Sequence, residues 1–319
     1  VMDLASGFKL TDVVSLSKGY RAARSRLIVL DWGGTLVADD AKLNNLRAYA
    51  VAQGKSSHTG PSQELCTLLE KLCADVRNNV FVVSGKELMS VSEHFGHIRN
   101  LGLGAEHGFY FRWPRDEFQT TGKSSRSGSE GEYLAQGGSD SEENDAFDVS
   151  SGLRRCRWQT LTAVGDQTWK SPARLLMNIF TQRTHGTYVE EKGNALIWQF
   201  RDADPEFGFL QSKELEDHLR DMLGDINEVE VLRGGGVSDG YIEVRPAGVN
   251  KGLFLEHLIA TLKNLHRSAT FVMAIGDDSS DESMFEQIQR LNDDDLDSYG
   301  ITVGKKPSAA GSYLDDTTD

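Results

Sequence analysis

Strand-like and helix-like segments alternate at both ends of this chain of 319 residues, and the alternation stops in between. The first part contains the apolar segments RLIVLDW, NVFVVSG and IRNLGLGAEHG, separated by the helix-like SQELCTLLEKLCADV and KELMSVSEHFG. The alternation returns after Pro246 with NKGLFLEHLIATLKNLH, ATFVMAIGDD, DESMFEQI and GITVG. Because consecutive parallel strands are joined by crossover helices, the pattern predicts an α/β fold with a doubly wound parallel sheet.

The middle of the chain has a different order of segments. The strand-like TYVEEKG, ALIWQFRDAD, EVEVLRGG and DGYIEVRP follow one another with only the helix-like SKELEDHLRDMLG among them. Successive strands with few helices are typical of a small α+β unit. We therefore expect a core formed by residues 1–112 and 246–319, with an inserted α+β cap domain formed by residues 113–245.

The cap contains an acidic segment at about 119–152, which is rich in Gly, Ser, Asp and Glu. Between Glu130 and Asp148 there are seven acidic residues and no basic residue. Such a composition cannot bury enough apolar surface to order the chain, so we expect a disordered loop. A regulatory phosphorylation site is an alternative that the sequence leaves open.

The charge balance excludes two classes of partner. There are 34 Lys and Arg residues against 48 Asp and Glu residues, which gives a net charge of −14. Nucleic acids and anionic membranes bind clustered basic residues, so we expect neither as a partner. The 3 cysteines form no CxxC pair and are typical of buried thiols in a reducing compartment, which predicts a cytoplasmic protein.

Polar residues follow the strand-like segments of the core at the points where the strands should end. They are Asp31 and Thr35 in LDWGGT, Ser84 in VVSGK, Glu106 in GAEHG, Lys251 in VNKG, and Asp277, Asp278 and Asp281 in GDDSSD. Ligands of open α/β sheets bind at the carboxyl ends of the strands. A carboxylate nucleophile, an acidic cluster for Mg²⁺ and a hydroxyl and a lysine around a phosphoryl group would account for the whole set. Each residue alone is often only a helix cap, so the prediction depends on their combination.

The order of the motifs DxxGT, SGK, KG and GDDxxD resembles the haloacid dehalogenase-type phosphatases. The longer stretches LGLGAEHGFYFRWP, YVEEKGNALIWQFRDADPEFG and AIGDDSSDESMFE resemble the trehalose-6-phosphate phosphatase branch, above all the C-terminal phosphatase-like domain of large trehalose-phosphate synthase-like proteins. The resemblance covers nearly the whole chain except the acidic segment. It implies Mg²⁺ as cofactor, trehalose 6-phosphate or a related phosphosugar as ligand, and a glucosyltransferase domain in the same chain or complex as partner.

The resemblance also implies roles for individual residues. Asp31 would be the aspartyl nucleophile, and Lys251 would balance the charge of the phosphoryl group. The implied phosphate-binding residues are Thr35, Ser84 and Lys86, the implied substrate-binding residues are Glu106, Glu190, Lys192 and Asn250, and the implied metal ligands are Asp31, Gly33 through its carbonyl, Asp277 and Asp281. Lys86 replaces the arginine usual in this motif, which keeps the charge but loses bidentate geometry.

Gly33 is the main departure from the family pattern, which has a second aspartate at this position. That aspartate protonates the departing sugar oxygen and then activates water, a contribution worth on the order of 10²–10⁴ in rate. Glycine has no side chain that could transfer a proton, and Asp39 or Asp40 would reach the site only if the turn folded back. We therefore expect a phosphosugar-binding or regulatory module with impaired catalysis. The alternative is a slow but active Mg-dependent trehalose-6-phosphate phosphatase.

Overall fold

The computed structural model describes residues 8–37, 60–114, 157–162, 165, 167–224, 226, 228–237, 240–291 and 295–317. The acidic segment at about 119–152 and both Asp39 and Asp40 lie outside these residues. The chain divides into two compact units, a core unit of Val1–Ala163 with Asn250–Asp319 and a cap unit of Val164–Val249. The domain limits drawn from the sequence stay a prediction.

The core unit is built on one sheet, in which nine strands lie among the described residues in the order β1-β13-β12-β11-β2-β3-β4-β5-β6. The strands are β1 Lys9–Leu10, β2 Arg26–Asp31, β3 Asn78–Val83, β4 Leu101–Ala105, β5 Tyr110–Arg112, β6 Gln159–Thr160, β11 Phe271–Gly276, β12 Asp297–Val303 and β13 Ser312–Leu314. Pairing is parallel from β1 to β4 along this order. It becomes antiparallel at β5 and β6, because a short 3₁₀ turn rather than a crossover helix follows β4.

Helices cover both faces of this sheet, as expected for a doubly wound fold. The helices of the core unit are α1 Val13–Ala22, α2 Gln63–Ala74, α3 Leu88–Phe95, α6 Lys251–Asn264 and α7 Glu282–Arg290. Successive residues of β2 point to opposite faces. Leu27 and Val29 therefore pack in the cluster that contains residues of α6 and α7. Ile28 and Leu30 pack in the cluster that contains residues of α2 and α3.

The cap unit has an antiparallel sheet in the order β7-β8-β10-β9. Its elements are α4 Lys170–Arg183, β7 Tyr188–Glu191, β8 Leu196–Gln199, α5 Pro205–Leu223, β9 Val229–Gly234 and β10 Tyr241–Pro246. Trp198 and Ile242 pack in one buried cluster with Phe180 of α4 and Leu219 of α5. The predicted α/β core and α+β cap are thus confirmed. None of the helices in the described residues is long and apolar enough to cross a membrane.

Candidate active site

The predicted polar residues of the core unit converge at the carboxyl ends of three neighbouring strands. Asp31 is the last residue of β2, which pairs with β3 on one side and β11 on the other. Ser84 directly follows β3, and Asp277 directly follows β11. Lys251 is the first residue of α6. Parallel pairing at the centre of the sheet is therefore what brings these distant parts of the sequence together.

Lys251 joins two buried carboxylates. Its Nζ donates to Oδ1 of Asp31 at 2.6 Å and to Oδ1 of Asp281 at 2.7 Å. Burial alone would lower the pKa of Lys251, but the carboxylates of Asp281 and Asp31 outweigh it and raise the pKa above its ordinary value. Burial raises the pKa of Asp31, an effect that the Lys251 ammonium opposes. The cluster thus holds a permanent positive charge against the predicted nucleophile.

Asp281 also shapes the loop between β11 and α7. Its Oδ2 accepts hydrogen bonds from the backbone amides of Asp277 at 3.0 Å and of Asp278 at 3.1 Å. The carboxylate of Asp278 forms hydrogen bonds within the same loop: its Oδ1 accepts from the amide of Ser280 at 2.8 Å and from the Ser280 hydroxyl at 2.6 Å. The Asp277 carboxylate is left to face Thr35, whose hydroxyl donates to its Oδ1 at 3.3 Å.

The acidic residues of this cluster fit a divalent cation. Asp31, Asp277 and Asp281 each offer one carboxylate oxygen, and these oxygens all lie within 4.8 Å of one another. Carboxylate oxygens are hard ligands of the kind that Mg²⁺ prefers. Burial, followed by the charges of Asp278 and Asp281, raises the pKa of Asp277 to about 7, and a bound cation would relieve this repulsion.

The loop after Asp31 is held together by hydrogen bonds between its own backbone groups. The carbonyl of Trp32 accepts from the amides of Leu36 at 3.0 Å and Val37 at 3.1 Å, and the Gly34 amide donates to the carbonyl of Val37 at 2.7 Å. These bonds do not use the carbonyl of Gly33, the fourth metal ligand implied by the sequence. Gly34 has φ of +75°, and a Cβ there would lie 2.1 Å from Oδ2 of Asp277, so only glycine fits.

Gly33 stands in open space. A Cβ built on this residue would have no described atom within 4 Å apart from its chain neighbours, and its φ is outside the left-handed region. A Cβ at position 33 would therefore meet no clash with the described residues and would not strain the backbone. The residue carries no group that can transfer a proton, and it lies two positions after Asp31.

The predicted phosphate-binding segment lies beside the end of β2. The Ser84 amide donates to the carbonyl of Gly104 at 2.9 Å, and the Ser84 hydroxyl oxygen accepts from the Lys86 amide at 3.2 Å. The Lys86 ammonium lies 4.7 Å from the ring centroid of Trp32. Such a cation–π contact is worth roughly 0.5–1 kcal/mol where the cation is exposed. Trp32, which the sequence did not single out, therefore links the loop after Asp31 to Lys86.

Glu106 lies next to this segment, as its position after β4 predicts. Its amide donates to the carbonyl of Lys86 at 2.9 Å. Asn250 is also in the core unit, where its Oδ1 accepts from the amide of Leu253 at 2.8 Å and caps α6. Its predicted contact with substrate stays a prediction.

Glu190 and Lys192 belong to the cap unit. The register of β7, β8 and β10 places Glu190, Ile197 and Glu243 side by side in one row of the sheet. Lys170, a buried residue of α4, donates from Nζ to the carbonyls of Lys192 at 3.0 Å and Gly193 at 2.6 Å. Neither Glu243 nor Lys170 was predicted from the sequence. Alternation along YIEVRP could have indicated Glu243, whereas nothing local to Lys170 signals a bond to a turn 22 residues away.

Comparison with known proteins gives a consistent result. The family model described as trehalose-phosphatase matches residues 51–318. The probable alpha,alpha-trehalose-phosphate synthase (UDP-forming) 11 of Arabidopsis thaliana is 35% identical over 324 residues, which cover 99% of this chain and 30% of that protein. The chain thus spans about a third of the length of the curated relatives that it matches.

Solved structures with the same fold include a trehalose-6-phosphate phosphatase of Aspergillus fumigatus. The two are 29% identical with a TM-score of 0.61, over 98% of this chain and 96% of the other. A haloacid dehalogenase-like hydrolase from Bacteroides thetaiotaomicron matches at 13% identity with a TM-score of 0.51, over 91% of this chain and 94% of the other. The second likeness concerns the fold alone and agrees with a haloacid dehalogenase-type core.

Proposed function

Because the chain belongs to the trehalose-phosphatase family, we propose that it binds Mg²⁺ and trehalose 6-phosphate, or a related phosphosugar, with little or no turnover. In this proposal it acts as a phosphosugar-binding or regulatory module. The observation that carries the proposal is Gly33, which has open space around it and no proton-transfer group, beside an otherwise intact cluster of Asp31, Lys251 and Asp281.

The two chemical steps of a phosphatase place different demands on this site. In the first step, the Asp31 carboxylate attacks phosphorus, a P–O bond to Asp31 forms, the bond to the sugar oxygen breaks, and that oxygen takes up a proton. In the second step, water attacks the phosphorylated Asp31, loses a proton and releases phosphate. Both steps need a group that transfers a proton beside Asp31. Its absence costs on the order of 10²–10⁴ in rate, or roughly 3–5 kcal/mol of barrier.

Binding of a phosphosugar and Mg²⁺ requires no proton transfer, and the residues present support such binding. Thr35, Ser84 and Lys86 would bind the phosphoryl oxygens, and Lys251 would keep a positive charge near them. Asp31, Asp277, Asp281 and the carbonyl of Gly33 would hold Mg²⁺, which supplies charge neutralisation for the phosphoryl group when bound. None of these contributions depends on a side chain at Gly33.

The sugar and the protein partner follow from the family. By the family resemblance, the residues proposed to bind the sugar are Glu106, Glu190, Lys192 and Asn250. Relatives named as trehalose-phosphate synthases are about three times as long as this chain, which supports a glucosyltransferase domain in the same chain or complex. The buried free thiols of Cys66 and Cys73 are in keeping with a cytoplasmic location.

Calorimetric titration with trehalose 6-phosphate and Mg²⁺, with released phosphate assayed in the same samples, tests the proposal. We expect saturable binding and less than one phosphate released per protein over the titration. Release over many turnovers would overturn the impaired-catalysis proposal. Absence of binding would overturn the proposed module itself.

The second candidate is a slow but active phosphatase. The close contact of Lys251 with Asp31 at 2.6 Å favours it, because a positioned nucleophile is already present. Any slow release of phosphate should then disappear in Asp31→Asn while the folded state is retained. Release that persists in Asp31→Asn would indicate a contaminating phosphatase.

A further inference from the structure

We infer that His107 is a positioning residue, which holds Ser84, Gly85 and Lys86 in the shape that receives a phosphoryl group. We call these three residues the phosphate segment. The inference rests on the proposed function, because only ligand binding gives the shape of this segment a consequence. It assigns a role to a residue that motif order alone does not single out.

The backbone around His107 has an unusual conformation. Glu106, His107 and Gly108 follow one another with φ of +49°, +60° and +91°. Glutamate in particular rarely adopts positive φ, and such residues persist only where the surroundings enforce them. Both Glu106 and His107 are buried, with exposed fractions of 3% and 8%. This turn therefore has one enforced shape rather than the freedom of a surface loop.

The same turn binds both ends of the phosphate segment. The amide of His107 donates to the carbonyl of Ser84 at 2.9 Å, and the amide of Glu106 donates to the carbonyl of Lys86 at 2.9 Å. Positive φ at these two residues is what presents successive amides to the segment. The first and last residues of the segment are thus fixed by the backbone of one turn.

The imidazole fixes the middle residue. A Cβ on Gly85 would lie 2.8 Å from Cε1 and 2.9 Å from Nε2 of His107. Both distances are too short for unstrained contact, so the ring occupies the space that any side chain at position 85 would need. The absence of a side chain at Gly85 and the position of the His107 ring therefore depend on each other. The ring can lie this close to the segment because residue 85 carries no Cβ.

If His107 served only to pack the fold, a different result would be expected. Each substitution, at position 85 or at position 107, would lower the stability of the fold, and combining the two would not restore it. A positioning role predicts that a methyl group added at Gly85 distorts the segment, and that a smaller side chain at position 107 removes the distortion. The experiment therefore compares two single variants with their combination.

The variants are Gly85→Ala, His107→Asn and the double variant. Asparagine lacks the two ring atoms that face Gly85, and it tolerates positive φ about as well as histidine. His257→Asn in α6 is the matched control, because His257 is a half-buried histidine outside the proposed site. Circular dichroism and thermal unfolding first establish that each variant is folded.

The first measurement is calorimetric affinity for trehalose 6-phosphate with Mg²⁺. A small misplacement of binding groups has large effects, so Gly85→Ala should bind at least about tenfold more weakly and His107→Asn about threefold more weakly. The double variant should bind more tightly than Gly85→Ala, and His257→Asn should match the parent protein. A double variant as weak as Gly85→Ala, or Gly85→Ala with unchanged affinity, would overturn the inference.

The second measurement separates this inference from the proposed function. Hydrogen–deuterium exchange of peptides covering Val83–Lys86 is followed without ligand. Both single variants should exchange faster than the parent protein, and the double variant should recover protection. If the parent protein binds no phosphosugar, the proposed function fails, but recovery of protection would still support His107 as the residue that shapes the segment. Exchange unchanged in both single variants would overturn that role.

Discussion

Asp31, at the end of β2, and Gly33, in the loop that follows it, are two positions apart in the sequence but differ in their surroundings. Asp31 belongs to a buried cluster in which Lys251 contacts two carboxylates, so each member depends on the others. Among the described residues, none lies within 4 Å of a Cβ built on Gly33 apart from its chain neighbours. Removal of one partner from a buried ion pair typically costs 3–5 kcal/mol, or roughly a third to a half of the stability of a domain.

This difference determines what the residues of the buried cluster can tell us about turnover. Selection for folding alone would keep Lys251, because its loss leaves the buried carboxylates of Asp31 and Asp281 without their cation. Folding places no such demand on position 33. The retention of Lys251 is therefore weak evidence for turnover, whereas the side chain at position 33 bears directly on proton transfer. Four predictions test this division between stability and chemistry.

The largest expected effect is a gain of activity in Gly33→Asp. The aspartate fits the open space and supplies the missing proton transfer, so the release of phosphate from trehalose 6-phosphate with Mg²⁺ should rise by about 10²–10⁴. Gly33→Asn is the matched control, because it has nearly the same shape and no carboxylic acid. Equal rates for the two variants would refute the assignment of proton transfer to this position.

The next effect is a loss of stability in Lys251→Met. The substitution leaves the carboxylates of Asp31 and Asp281 buried without their cation, so the free energy of unfolding should fall by about 3–5 kcal/mol. Urea unfolding measures this value. Lys263→Ala provides the control, because it removes an exposed lysine from the same helix and should change stability by less than about 0.5 kcal/mol. Similar values for both variants would show that the buried cluster does not stabilise the fold.

The third effect is a dependence of stability on pH in protein freed of metal by a chelator. The pKa of Asp277 is about 7 in the folded state against an ordinary 3.8, so the folded state holds a proton that the unfolded chain loses between these values. The stabilisation is present below about pH 4 and is lost as pH rises through 7. Apparent Mg²⁺ affinity should rise over the same window, since the metal competes with this proton.

Thermal unfolding at several pH values between 4.5 and 8 measures this slope. Asp277→Asn should reduce it, and the part that remains should come from Asp31 and Asp281, whose pKa values burial also raises. Asp278→Asn should reduce the slope less, because it removes only one of the charges that raise the pKa of Asp277 and leaves the titrating carboxylate in place. A slope unchanged in Asp277→Asn would assign the titration to another group of the cluster.

The smallest effect is expected for Lys86→Arg. Arginine can bind phosphoryl oxygens in bidentate geometry and still stack on Trp32, so affinity for trehalose 6-phosphate should rise by a few-fold, or roughly 1 kcal/mol. Lys305→Arg is an exposed control with the same change of side chain. Weaker binding in Lys86→Arg would mean that the compact ammonium is itself required beside the Trp32 ring.

The sequence predicted much of the core because its signals are local. Apolar runs such as LIVL can be recognised as buried strands, and the polar residue that follows each run is therefore expected at the carboxyl edge of the sheet. The convergence of Asp31, Ser84 and Asp277 followed from this rule. The turn back into antiparallel β5 and β6 was not predicted, because GAEHGFY gives no length or composition that distinguishes it from a crossover connection.

The rest of the site depends on contacts that no local pattern signals. Glu106 and His107 have positive φ, a conformation for which glutamate shows no preference. The contact between Gly85 and the His107 ring joins residues whose spacing in sequence carries no period of a helix or strand. The two amides bound by Asp281 likewise depend on the folded shape of one loop.

The contact between Asp31 and Lys251 spans 220 residues of sequence, and the cap unit is made in between. At about 5–20 residues per second, a ribosome needs roughly 10–40 s to synthesise that stretch. During this time β2 can pair with β3, but its other edge stays open until β11 emerges. A nascent chain that stops before Phe271 therefore exposes an apolar strand edge and an unpaired aspartate. During synthesis this strand edge is therefore open for a long interval, in which we expect it to favour association with other chains.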